Sequence, residues 1–387
     1  MISEQGNGHQ KHVKLTKPDL GYFGRNEIAI LGTPCGQIKK LVQAVIDILA
    51  SDYRMAYIDA DHASAREAPV IDPRSALGHG AVLESIDKID FQRWDVLNHP
   101  NDYYKKAYYN DQDLILVNGN HFLAKSQVVV IDPKKPLEKK LEKLTDIKLF
   151  LLQKGVTDLP DYLKEHQSDW ASIPVLAIEN YRDISDHIRL WMETTKPSLK
   201  GLVLAGGKGI RMNQDKGLLN YHGQPQRDHV YDQLQPYCAQ VFISCREDQL
   251  NDLHGRSTIT DSFVELGPFG ALLSAFRTDP NSAWLAVACD LPFLTDNSLK
   301  YLINNRNTSQ IATTFKSPFD EFPEPLITIW EPRAYQSLLY FLALGYSCPR
   351  KVLINSNTEI LEAPNGSELK NVNHPEEYQK ALKDIKG

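Results

Sequence analysis

Short apolar, β-branched runs alternate along the chain with stretches of helical period. In the first half the runs are EIAIL (Glu27 to Leu31), MAYIDAD (Met55 to Asp61), DLILVNGNHF (Asp113 to Phe122), SQVVVIDP, IKLFLL and IPVLAIEN. KKLVQAVIDILA follows the first run with apolar residues at helical spacing, and YYKKAYY and RDISDHIRLWMETT predict further helices. KKPLEKKLEKL, Lys134 to Leu144, sets charges at the same spacing and predicts a solvated helix face. In the second half KGLVLA, VFISC and WLAVA read as strands. GQPQRDHVYDQLQPYC reads as a helix and GPFGALLSAFRT as a loop entering one. Continuous apolar runs bounded by glycine suit strands covered on both faces. The alternation predicts an α/β architecture with parallel sheets.

A chain of 387 residues is too long for one ordinary core and suits two domains. Residues 1–25 are polar and read as a flexible tail. The polar stretch METTKPSLK marks a boundary after Trp191, giving expected domains over 26–196 and 197–387. Hydrophobic and charged fractions of 42% and 24% are those of a globular protein. A net charge of −6 argues against a general nucleic-acid partner. No apolar run approaches membrane-spanning length and the start MISEQGNGHQKH has no signal-peptide core, so a cytoplasmic protein is expected. The five cysteines include no C-x-x-C pair, and Cys289 reads as a small buried residue rather than a nucleophile. The histidines are dispersed, against a histidine-built metal site.

The turn GTPCGQ stands where a phosphate-binding loop would begin a domain, yet it is broken. Gly32 and Gly36 are one residue too close, and Gln37 and Ile38 occupy the places of the lysine and the hydroxyl residue. Without that cation and that Mg²⁺ ligand, nucleoside triphosphate hydrolysis is not expected here. Asp59, Asp61, His62, Asn118, Asn120 and His121 fall at carboxyl ends of predicted strands. They stand as a pterin or partner site, or as loop ends capping the next element.

The stretch LVLAGGKGIRMNQDKGLLNY, Leu202 to Tyr221, joins a strand to a glycine-rich, cationic loop. Gly206, Gly207 and Gly209 allow close backbone approach, and Lys208, Arg211 and Lys216 favour an anionic guest. Asp215 stands next to Lys216 and is a candidate to fix its direction. The glycines alone would suit any tight β-to-α connection, and the loop matches neither a P-loop nor a dinucleotide fingerprint. WLAVA then ends in Cys289-Asp290-Leu291-Pro292, which sets a carboxylate at a strand's carboxyl end. It is either a cap or a ligand for Mg²⁺ on triphosphate oxygens, and its pairing with the glycine loop favours the metal.

The pattern LAGG, then Arg-Met, then Asp-Lys-x-Leu-Leu resembles the molybdenum cofactor guanylyltransferases (MobA-like) and their nucleotidyltransferase relatives. CDLPFL, LGPFGALLSAF, EPLITIW and NVNHPEEYQKAL match further ordered motifs of that family. Asn213 and Phe269 depart from it, which bears on base selection and loop shape. The first half resembles the MobB-like molybdopterin-guanine dinucleotide adaptors, with a degenerate P-loop. The implied fold is a P-loop-NTPase-like parallel sheet followed by a Rossmann-like sheet of the nucleotide-diphospho-sugar transferase type.

By this resemblance Leu204, Ala205, Gly206, Gly207, Lys208 and Gly209 would meet the nucleotide, Lys216 and Arg211 its phosphates, and Asp261 the base or ribose. Asp290 would bind Mg²⁺, and Arg350, Lys351, Asn371 and Asn373 the second substrate's phosphate, while NVN before His-Pro equally suits Asn371 and Asn373 as helix caps. The implied reaction moves GMP from GTP onto molybdenum-carrying molybdopterin with release of pyrophosphate. CTP-dependent transfer and a non-catalytic pterin scaffold are the alternatives. A sugar-1-phosphate substrate is disfavoured by the absence of G-T-R-L. Molybdoenzyme apoproteins and molybdopterin-delivering proteins are the expected protein partners.

Overall fold

The computed structural model describes residues 24–60, 71–97, 105–205, 215–253 and 255–386. The expected tail up to Phe23, and Asp61, His62, Gly206, Gly207, Lys208, Gly209, Arg211 and Asn213, lie outside the described residues.

The strands of the first half are β1 (Asn26–Leu31), β2 (Met55–Ile58), β3 (Leu83–Asp87), β4 (Gln92–Val96), β5 (Leu114–Asn118), β6 (Ser126–Ile131), β7 (Asp146–Leu152) and β8 (Val175–Ala177). Six of them form a parallel sheet in the order β2-β5-β1-β6-β7-β8. The apolar runs decide that order physically. β5 and β6 are buried at every residue, while β8 lies at an edge with two of its three residues exposed. Helices α1 (Cys35–Leu49), α2 (Asp161–His166) and α3 (Tyr181–Thr194) cover the sheet. Ile38, Leu41, Val42, Val45 and Leu49 repeat at helical spacing and pack α1 with Ile184 and Ile188 of α3 on one face. Leu31, Val129, Phe150 and Leu163 build the core of the other face.

The second half supplies β9 (Leu199–Leu204), β10 (Val241–Cys245), β11 (Thr258–Thr260), β12 (Ala283–Ala288), β13 (Ala312–Lys316), β14 (Pro323–Trp330) and β15 (Thr358–Leu361). Its helices are α4 (Gln226–Leu234), α5 (Pro268–Thr278), α6 (Asp296–Asn304), α7 (Ala334–Ala343), α8 (Pro349–Ile354) and α9 (Pro375–Lys386). The sheet order is β11-β10-β9-β12-β14-β13-β15, with β14 antiparallel to both its neighbours. Val230, Leu234, Leu299 and Leu302 cover one face, and Phe269, Phe276, Trp284 and Trp330 fill the other. The chain runs outward from β9 to β10 and β11, then returns on the opposite side at β12. That reversal opens a crevice at the carboxyl ends of β9 and β12, where open α/β sheets take ligands. Gly270 lets α5 start close beside it: a Cβ there would lie 2.1 Å from the Phe263 carbonyl.

By contact density the β3–β4 hairpin belongs to one unit, within Asp61–Tyr108, while both large sheets belong to another, Gly21–Ala60 with Tyr109–Gly387. Within the latter the two sheets are joined by polar contacts. Asp113 receives Arg333 Nη2 at 3.2 Å and Arg54 Nε at 3.4 Å, and Asn110 Nδ2 donates to the Arg333 carbonyl at 3.0 Å. Arg54 also donates to the Ser309 carbonyl.

Two local expectations change. The segment Lys134 to Leu144 forms no regular helix, but a kinked 3-10 segment, Glu138–Lys143, with non-helical backbone at Lys140. Leu137 and Leu144 are both anchored in the core, so the segment between them bends to keep its charges outside. Of YYKKAYY, the regular element is a 3-10 turn, Lys106–Tyr109. The helix expected over RDISDHIRLWMETT forms as α3, and the Thr194 and Thr195 hydroxyls close it on the Trp191 carbonyl. Among the described residues no helix is long and apolar enough to cross a membrane.

Candidate functional site

The crevice at β9 and β12 holds a cavity of about 200 Å³. Leu204 and Ala205 at the end of β9, Ser244 in β10, and Ala288 and Asp290 at the end of β12 line it. Asp261, the α5 N-terminus at Gly267 and Pro268, and Leu326 of β14 complete the wall. Lys216 reaches the same cavity from a 3-10 turn, Lys216–Leu218.

Lys216 Nζ lies 3.4 Å from Asp290 Oδ2 and donates to Asn373 Oδ1 at 2.5 Å. Three segments distant in sequence thus meet at one ammonium group. The Val372 amide donates to the Asp290 carbonyl at 2.9 Å, which ties the asparagine segment to the end of β12. Glu377 Oε2 accepts from the Asn373 and His374 amides at 2.7 and 3.1 Å. Those bonds, the Asn373 amide foremost, hold its carboxyl below the usual range. Asn371 precedes Val372 in the same segment.

Asp290 is the least satisfied group of the set. Its side chain is 14% exposed, and its Oδ1 is buried with no hydrogen-bond partner among the described residues. Burial pushes its carboxyl above the ordinary carboxylate range, with Lys216 opposing. A buried carboxyl oxygen left without a partner is costly unless a ligand satisfies it. Among the described residues no three His, Cys, Asp or Glu side chains gather in metal-binding geometry. A carboxylate of this kind would share an ion with ligand oxygens rather than enclose it. Asp261 accepts from the Ser244 hydroxyl at 2.7 Å, and burial pushes its carboxyl up as well.

Asp215 does not aim the lysine. Its Oδ1 caps the turn by accepting from the Gly217 amide at 2.8 Å, and its Oδ2 accepts from Gln249 at 2.6 Å. Asp290 and Asn373, not Asp215, hold the Lys216 ammonium group. Cys289 is buried, and burial pushes its thiol up. Arg350 pairs with Asp320 at 2.7 Å and Glu324 at 3.3 Å, and Lys351 Nζ stands 5.2 Å from the Tyr346 ring centre. Both lie on α8, which packs on β14, and neither lines the cavity.

Sequence reasoning missed four residues here: Ser244, Leu326, Glu377 and Tyr221. Tyr221 is buried edge-on against Tyr378 at 5.0 Å between centroids, its hydroxyl without a partner among the described residues. Only Glu377 carried a signal, since an acid in the first turn after His-Pro suits an N-terminal cap.

Residues 201–361 match the MobA-like NTP transferase domain family. A molybdenum cofactor biosynthesis bifunctional protein of Synechocystis is 35% identical over 188 residues, which are 48% of this chain and 54% of that protein. The chain therefore spans about half the length of that relative. A molybdenum cofactor guanylyltransferase of Pseudomonas entomophila is 27% identical over 190 residues, 48% of this chain and 98% of the relative. Among solved structures, molybdopterin-guanine dinucleotide biosynthesis protein A of Archaeoglobus fulgidus aligns with TM-score 0.41 and 21% identity, over 48% of this chain and 98% of that one. The C-terminal half of the chain carries a MobA-like NTP transferase domain.

Proposed function

We propose that the chain transfers GMP from GTP to the terminal phosphate of molybdenum-carrying molybdopterin and releases pyrophosphate. The observation that carries this reading is the meeting of Lys216, Asn373 and the unmatched Asp290 carboxylate on one cavity at the sheet's reversal point. The names of the relatives support the choice of GTP and molybdopterin.

The base and ribose lie along Leu204, Ala205 and the glycines of the following loop, with Asp261 accepting from the nucleoside. Lys216, with Arg211 and Lys208 of the loop, offsets the triphosphate charge. Asp290 would hold Mg²⁺, which would supply Lewis-acid charge neutralisation for the transfer. A phosphate monoester oxygen attacks the α-phosphorus, and the bond to the β-bridging oxygen breaks. No protein nucleophile is needed, because the attacking oxygen is already anionic at neutral pH. The protein's task is alignment and charge compensation. Asn371 and Asn373, with Arg350 and Lys351 at the β14 side, are assigned to the acceptor's phosphate. The first half serves as an adaptor that docks the pterin, a molybdopterin-delivering protein or a recipient apoenzyme, and the reaction belongs to the cytoplasm.

Pyrophosphate release by the purified chain with Mg²⁺, given GTP or CTP, with and without metal-loaded molybdopterin, tests the assignment. Release that requires both GTP and the pterin is expected. Release with CTP alone of the two nucleotides would make the enzyme a cytidylyltransferase. Silence with both would leave a binding role.

A further inference from the structure

The carboxyl edge of the N-terminal sheet holds a second set of reactive side chains that the transfer reaction does not use. Gly32 turns the chain out of β1 with φ +90°, and a Cβ there would lie 2.2 Å from the Val130 carbonyl, so the turn is fixed. It delivers Cys35 as the first residue of α1. Cys35 Sγ lies 3.1 Å from His121 Nε2, and Asn120 Nδ2 approaches the same sulfur at 3.5 Å while donating to the Thr33 carbonyl at 3.0 Å. The turn carrying His121 is itself held, since Asn118 Oδ1 accepts from the Asn120 amide and Asn118 Nδ2 donates to Asp59 Oδ1 at 2.6 Å. Burial pushes the Asp59 carboxyl up, but hydrogen bonds from Tyr57, Asn118 and the Ala60 amide hold it below the usual range, with His121 adding to that effect. Lys135, beyond β6, interacts electrostatically with Cys35 and lines a cavity of about 290 Å³. A nucleophile, a proton acceptor, an amide donor and a cation therefore share one edge.

The remaining cysteines are built differently. Cys245 and Cys289 are buried, burial pushes the Cys238 thiol up to about 12, and Cys348 is exposed on the surface.

We propose that Cys35 is a modification site that undergoes thiol–disulfide exchange with an anionic, low-molecular-weight disulfide, with His121 accepting its proton. In the Nδ1–H tautomer, His121 Nε2 takes the thiol proton. The sulfur attacks one sulfur of the disulfide, the S–S bond breaks, and a new mixed disulfide forms on Cys35. The departing thiolate recovers the proton from His121, so atoms and electrons balance without a further oxidant. Lys135 selects for negative charge on the incoming molecule. Among the described residues, the charged and titratable groups around the site are Tyr57 within and Asp59 after β2, His121 after β5, and Asp132 and Lys135 after β6.

The test is reaction of the full chain with glutathione disulfide at neutral pH, read by peptide mass mapping over time. Cys35 is expected to form the adduct about tenfold faster than exposed Cys348, and Cys35→Ser to lose it. His121→Gln should slow the Cys35 rate by about tenfold or more at pH 7 and move its pH–rate profile upward. Lys135→Gln should slow exchange with glutathione disulfide but not with neutral hydroxyethyl disulfide. Circular dichroism and melting of each variant separate these effects from misfolding. Equal rates at Cys35 and Cys348, or an unchanged rate in a folded His121→Gln variant, would overturn the proposal.

Discussion

The carboxyl edges of the two sheets differ in what their polar groups do. Each carries an acid beyond a strand that neighbours the sheet's first, Asp132 after β6 and Asp290 after β12. In the N-terminal sheet Thr33 donates to Asp132 at 2.7 Å, and Ile38, where a phosphate loop would have its hydroxyl residue, is fully buried in the core. That position has been given to packing. In the C-terminal sheet the corresponding acid, Asp290, keeps one buried oxygen unmatched among the described residues and faces Lys216 across a cavity. Packing preserves an edge; a phosphate site also needs polar groups left waiting for a ligand.

The largest effect expected from breaking this contrast is that of Asp290→Asn. Turnover should fall by about a thousandfold if the carboxylate holds the metal, measured as steady-state pyrophosphate release. The melting temperature at pH 7 should not fall. Burial raises this carboxyl above its unfolded value of about 4, so its contribution to stability is fully present below that value and lost as pH rises through the folded value. The amide removes that loss.

Asp113→Ala should come next. It leaves Arg333, whose side chain is 4% exposed, without its carboxylate where the two sheets meet, and about 3 kcal/mol of stability should be lost in urea unfolding. A loss below about 0.5 kcal/mol would mean that the sheets are joined by other means.

Lys216→Ala should reduce kcat/KM for the nucleotide by about ten- to a hundredfold, with less effect on melting. Smallest is Glu377→Gln, which weakens the charged cap on the Asn373 and His374 amides. KM for the pterin should rise by about two- to fivefold with kcat little changed. Because those amides depress the Glu377 carboxyl, its contribution to stability is present above its unfolded value and lost as pH falls through the folded one. The wild-type and variant melting curves should therefore converge in acid.

Much of this was legible in the sequence because it rests on local patterns. Runs such as LILVN, SQVVVI and AWLAVA are mostly apolar and became strands buried throughout. Asp290 was legible as the residue just after such a strand. The meeting of Lys216 with Asn373, 157 positions apart, was legible only through the family resemblance, since no local pattern encodes a tertiary approach. Ser244 and Leu326 sit in ordinary strands, and only the sheet order turns them toward the cavity. The charged run from Lys134 misled because helical spacing of charges says nothing of the anchors at Leu137 and Leu144. Asp215 misled because adjacency in sequence is not adjacency in space.

The most direct measurement follows the α-phosphorus itself. GTP labelled at the α-phosphate is incubated with Mg²⁺, metal-loaded molybdopterin and either the wild-type chain or Asp290→Asn, and the products are separated. Label should move onto the pterin with the wild type, matched by one pyrophosphate per transfer, and stay in GTP with the variant. Label appearing as free GMP, or on the pterin at equal rates with both proteins, would contradict the account.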